Sequence, residues 1–206
     1  MATTIWGTAS SWTLTALPLF VWMGEILFRT KLSENLFKGL SPWMQKLPGG
    51  LIHVNVVGCA LFAAISGSSA ATVATVGKMS IPELRKRNYP EKILLGSLAG
   101  SGTLGLLIPP SMILIIYGVA VQESIAKLFI AGIIPGIMIA LIFMSYVIIW
   151  SLINKKEMPK ILEEYSFLEK VKRSKQLLPV IILILGVIGS IYTGIATATE
   201  AASLGV

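Results

Sequence analysis

Residues 64–77 read AISGSSAATVATVG, a run of small and hydroxyl-bearing residues inside a stretch with no formal charge from Leu47 to Gly77. The stretch is long enough to cross the roughly 30 Å hydrocarbon core of a bilayer, yet its middle is its most polar part. A chain that turns back at depth exposes the carbonyls ending one half-helix and the N–H groups starting the next. Each such group left unpaired in hydrocarbon costs several kcal/mol, so the turn survives only when buried in protein or lining a wet cavity. Ser66, Gly67, Ser68 and Ser69 suit that tip. Gly67 permits a positive φ, and the hydroxyls can cap the second half-helix or ligate a cation. Carbonyls near Ile65 and Ser66 would attract a cation, and the N–H end beginning near Ser69 an anion.

The flanking charges decide between a hairpin and a crossing. Basic segments lie on both sides, Arg29 to Lys46 and Lys78 to Lys92. A single crossing would put one of them outside, against the positive-inside tendency, whereas a re-entrant hairpin keeps both in the cytoplasm. Ile93 to Gln122 then crosses outward, the nearly neutral Glu123 to Lys127 turn lies outside, and Leu128 to Ile153 returns to the basic loop at Lys155. Every basic loop then falls on one side.

The rest of the chain agrees with a multi-pass membrane protein. Of its 206 residues 54% are hydrophobic and 13% charged, and its mean hydropathy is +0.79. The net charge of +7 sits between apolar runs, where cytoplasmic loops carry it, which argues against nucleic-acid binding. The run from Met1 to Gly24 lacks the basic start of a secretory signal and is expected to belong to the mature protein. The lone Cys59 can form no internal disulfide and reads as a small packing residue.

The expected order is a first membrane span over residues 1–30 and an interfacial amphipathic helix over 31–47, followed by the re-entrant hairpin over 48–80. A broken transmembrane helix over 93–122 and a span over 128–154 come next. A cytoplasmic amphipathic loop covers 155–176, and 177–206 is expected to hold a last span and the start of a second repeat. Glu25 and Arg29 stand at i, i+4 and are expected to pair. In the amphipathic helix Leu32, Leu36, Phe37, Leu40, Trp43 and Met44 form the apolar face; in the later loop Ile161, Tyr165, Leu168 and Val171 do so.

The run GSGTLGLLIPPS, Gly100 to Ser111, repeats the logic of the hairpin tip. Gly100, Gly102 and Gly105 loosen the helix, and Pro109 and Pro110 remove donors, freeing carbonyls until a new half-helix starts near Ser111. Two broken elements meeting in mid-membrane describe an ion-coupled transport site; the alternative is that the small residues merely let helices pack closely. Gly100 to Gly105 also fits G-x-G-x-x-G, but no soluble strand precedes it and no acidic residue follows at about 20 positions. Intramembrane hydrolysis by His53 and the serines lacks anything that fixes them together, and His53 is expected to bond locally. Glu200 in ATATEAA reads equally as a capping or as a functional carboxylate.

The blocks LTALPLFVWMGEIL (14–27), LPGGLIHVNVVGCALFAAISGSSAATVATVG (47–77), GTLGLLIPPSMILIIYGV (102–119), LFIAGIIPG (128–136) and YTGIATATEAA (192–202) resemble the large membrane subunit of the TRAP (tripartite ATP-independent periplasmic) transporters. The resemblance implies an all-α membrane protein forming the first inverted repeat of an elevator-type transporter. It implies sodium-coupled import of organic anions such as C4-dicarboxylates or sialic acid, with no enzyme activity. Its expected partners are a small membrane subunit and a periplasmic substrate-binding protein, in the bacterial inner membrane. Sodium is the coupling ion and no other cofactor is implied.

Carried onto these residues, the sodium site would use Ser66, Ser68, Ser69, Gly102, Gly105, Ile108 and Pro110, and the substrate site Ser69, Thr103 and Ser111. Ala198 stands where the family pattern has Pro, which leaves the bend expected there without its usual cause. The chain has about half the family's length, so it is expected to be the N-terminal half, complemented by a missing second half. A non-transporting membrane scaffold, or a truncated remnant of such a permease, is the alternative.

Overall fold

A computed structural model describes residues 6, 10–30, 32–159 and 165–206, and the described residues form helices and turns with no strand. A 3-10 turn, Trp12–Thr15, leads into α1, Ala16–Arg29, within the expected first span. α1 buries Ala16, Phe20, Met23, Gly24 and Leu27, one stripe at helical spacing. Glu25 and Arg29 pair at 2.7 Å on its exposed side. α2, Leu32–Met44, buries Leu36, Phe37 and Leu40 against the core and leaves Trp43 partly exposed. Position 31 and the Leu32 side chain of the expected amphipathic helix fall outside the described residues, as does Ile161 of the later apolar face.

α3, Ile52–Ser66, is the centre of the fold. Apart from His53 and Asn55, its sequence IHVNVVGCALFAAIS is apolar or small, and it is buried nearly all round. Gly67 ends it in the left-handed region at φ 59, and its amide bonds to the Ala63 carbonyl at 3.0 Å. After Ser68 the chain continues as α4, Ser69–Lys86, which folds back on α3. A Cβ on Gly58 of α3 would stand 3.6 Å from Val76 of α4. A break with φ > 0 thus falls where the small-residue run placed it.

α5, Glu91–Gly102, packs on both arms of this hairpin. Asn55 of α3 donates to the Leu94 carbonyl at 3.2 Å and to the Ser97 hydroxyl at 3.0 Å. The second apolar run breaks as its sequence implies: a 3-10 turn covers Thr103–Leu106, irregular backbone follows through the two prolines, and α6 occupies Met112–Val121. α7, Ile125–Ile153, has 29 residues, and the run Phe167–Tyr192 has 26; both are long and apolar enough to cross a membrane.

That run holds a short helix α8, Phe167–Ser174, a 3-10 turn, and α9, Leu178–Tyr192. Leu168 and Val171 of the expected apolar face are exposed on α8, while Arg173 lies over the Tyr165 ring at 4.3 Å. The last span is interrupted despite Ala198. Gly194 at φ 73 stops α9, and α10, Ala198–Gly205, starts afresh on a capping box in which Glu200 accepts from the Thr197 amide and hydroxyl, both at 2.8 Å. Glu200 is therefore a capping carboxylate here.

Candidate functional site

The tip of the α3–α4 hairpin sits on the break between α5 and α6. Ser68 is extended at the head of α4, and its hydroxyl accepts from the Ala71 amide at 3.4 Å, a weak N-cap. Ser66 is fully buried. Its Oγ lies 3.0 Å from the Thr72 Oγ1 and also receives the Ser68 amide at 3.4 Å. The Ser69 Oγ is buried with no hydrogen-bond partner. A buried hydroxyl in that state is costly unless another group takes it up.

Four glycines allow the close approaches around the tip. A Cβ on Gly105 would fall 2.9 Å from the Ser69 nitrogen and 3.0 Å from the Ser68 carbonyl carbon, so only glycine lets that backbone approach. A Cβ on Gly102 would overlap the Val73 side chain. From the other side, a Cβ on Gly24 of α1 would lie 3.0 Å from that of Ser66. The Gly67 carbonyl accepts from the Met112 amide at 3.4 Å, and a Cβ on Gly67 would stand 2.5 Å from the Pro110 oxygen. Ser66, Ser68, Ser69, Gly102, Gly105 and Pro110 are thus brought into one neighbourhood.

Ile108 lies at its rim, against α7: a Cβ on Gly136 would stand 2.8 Å from the Ile108 Cγ1. Thr103 is not drawn into the cluster. It is exposed, and its hydroxyl donates to the Gly100 carbonyl at 2.7 Å. Ser111 is fully buried at the head of α6, but its hydroxyl donates backward to the Leu106 carbonyl at 2.7 Å instead of capping the helix.

Sequence reasoning missed Thr72 and Gly24. Thr72 follows Ser69 by three residues and so shares its helix face, a spacing that could have marked it. Gly24 carried no signal beyond being a glycine in an apolar run. His53 bonds locally, through Nε2 to the Pro48 carbonyl at 2.8 Å, far along the chain from the serines.

A chain of this kind, with broken helices meeting inside an apolar bundle, is built as a membrane transport protein is. The sequence profile of the DctM component of the tripartite ATP-independent periplasmic transporters matches residues 1–206, and the chain belongs to that family, whose members are transporter permeases. It is 35% identical to the C4-dicarboxylate TRAP transporter large permease protein DctM of Pseudomonas aeruginosa, over 99% of this chain and 47% of that protein. It is 35% identical to the sialic acid TRAP transporter large permease protein SiaM of Vibrio cholerae, over 96% and 46%. With the ectoine/5-hydroxyectoine TRAP transporter large permease protein UehC of Ruegeria pomeroyi it shares 34% identity over 92% and 44%. The chain spans about half the length of these curated relatives.

Proposed function

We propose that this chain is the N-terminal half of the large permease subunit of a sodium-coupled secondary transporter, a multi-pass protein of the bacterial inner membrane that imports carboxylate-bearing organic anions. α3 and α4 form a re-entrant hairpin that enters from the cytoplasmic side, and α5 and α6 form the broken helix that crosses beside it. The unpartnered, buried Ser69 hydroxyl carries this reading, because it lies where the hairpin tip meets Gly105. Sodium would be held there by the hydroxyls of Ser66, Ser68 and Ser69 with backbone oxygens of Gly102, Gly105, Ile108 and Pro110. All of these are neutral oxygen donors, which suit a hard monovalent cation.

The substrate carboxylate would meet the N-terminal ends of α4 and α6 near Ser69 and Ser111. Thr103, exposed on the adjoining face, would join it from the side turned toward the second half of the subunit. The second half supplies the other hairpin and broken helix, a small membrane subunit stands beside the pair, and a periplasmic binding protein delivers the anion. Transport then follows an elevator movement of the hairpin-bearing part.

The test is reconstitution. The chain joined to its second half, with the small subunit and binding protein in liposomes, should take up a labelled carboxylate only under an inward sodium gradient. Uptake that ignores the sodium gradient would refute the coupling, and the same rate from this chain without a second half would refute the two-half site.

A further inference from the structure

At the end of the fold where the basic loops gather, away from the hairpin tip, lies a cavity of about 450 Å³ bounded by the turn 47–51, Arg87, Tyr89 and the end of α7. Two cations, Arg87 and Lys155, line it, with no carboxylate among the described lining residues. Lys155 is exposed at the mouth; Arg87 also pairs with Glu83 at 3.0 Å.

Two hydroxyls add donors. Tyr89 accepts from the Leu51 amide at 3.0 Å, which leaves the phenolic proton to be given outward. Ser151 is 4% exposed and lines the same cavity, with an Oγ that has no hydrogen-bond partner. Gly49, at φ 103, keeps the site open: a Cβ there would fall 3.1 Å from the Ser151 Oγ and 2.6 Å from Val147.

The outer wall of the cavity is apolar and continues outward. Leu152 lines it, and from Leu152 the residues Ile149, Tyr146, Ile142 and Met138 follow at spacings of three or four along α7, each 48% to 59% exposed. Such spacing forms one continuous stripe on a helix surface. A polar pocket with two cations and two hydroxyls able to donate, at the head of an apolar stripe, matches a molecule with a phosphate at one end and hydrocarbon at the other. A free phosphate ion would use only the pocket.

We propose that this cavity binds the headgroup phosphate of an anionic phospholipid, with Lys155 and Arg87 facing the phosphate, Tyr89 and Ser151 donating to it, and an acyl chain lying along the α7 stripe. The site is separate from the proposed sodium site, and its test does not depend on transport.

Purified chain in a neutral detergent, titrated with phosphatidylglycerol and read by native mass spectrometry, should retain one lipid roughly tenfold more tightly than diacylglycerol, which lacks the phosphate. Glycerol 1-phosphate, which lacks the chains, should bind at least about tenfold more weakly than the lipid. Lys155→Glu should weaken phosphatidylglycerol by about tenfold or more, while Lys156→Glu, an exposed neighbour outside the cavity, stays within about twofold. Both lysines are exposed, and unchanged melting temperatures establish that the variants fold. Equal retention of diacylglycerol and phosphatidylglycerol would overturn the proposal, as would equal weakening by the two lysine variants. Glycerol 1-phosphate binding as tightly as the lipid would assign the cavity to a soluble phosphate instead.

Discussion

The amide of Met112 donates to the carbonyl of Gly67 at 3.4 Å, tying the first residue of α6 to the turn that separates α3 from α4. The bond joins two breaks that are 45 residues apart in the chain, one made by a left-handed glycine and the other by consecutive prolines. Each break exposes backbone groups that a helix would have paired, and here a carbonyl from one meets an amide from the other.

Gly67→Ala tests that junction. The substitution forces alanine into φ 59 and drives its Cβ to within 2.5 Å of the Pro110 oxygen, so a loss of about 2 kcal/mol is expected. Gly96→Ala is the control, because nothing lies within 4 Å of its added Cβ and alanine gains about 0.5–1 kcal/mol inside a helix. Thermal unfolding in detergent should show the first variant melting lower than the parent and the second no lower.

Tyr89 gives a pH dependence. Burial pushes its phenol above the ordinary value near 10, an effect larger than the opposing pull of the Leu51 amide and the Arg87 charge. A folded-state value raised above the unfolded one contributes stability fully present below pH 10 and lost as pH rises through the folded value. Unfolding between pH 9 and 11 should therefore become easier in the parent, and Tyr89→Phe should flatten that fall. The variant should also cost about 1–2 kcal/mol at pH 7, since the Leu51 amide loses its acceptor.

The hairpin is tested by sidedness. Gln45, close to its start, is buried and would resist labelling, so the single cysteines belong at exposed Lys46 and Lys86, with Cys59 replaced. Both should react with an impermeant thiol reagent from the cytoplasmic side. Labelling of the two from opposite sides would replace the hairpin by a crossing.

The two breaks were legible because glycine, serine and proline interrupt otherwise apolar runs, and a chain in hydrocarbon has few other reasons to carry them there. The capping role of Glu200 was half legible: Thr197 and Glu200 stand at the spacing of a capping box, but the missing proline hid the helix start. What the sequence did not reveal depends on long-range packing. The fit of Gly24 behind Ser66 and the orphaned Ser69 hydroxyl are set by how helices meet, and no local pattern encodes them. Thr103 illustrates the same limit, since its exposed side is defined only by what packs beside it.

Ser69→Ala in the complete permease, assayed for sodium dependence of uptake, addresses the tip most directly. Loss of one hydroxyl ligand from a desolvated cation costs about 1.5–3 kcal/mol, so the sodium concentration for half-maximal uptake should rise roughly tenfold or more. Thr75→Ala removes another buried, unpartnered hydroxyl from the same helix, six residues beyond the tip, and should leave that concentration unchanged. A Ser69→Ala curve that superimposes on the parent would contradict a sodium site at the hairpin tip.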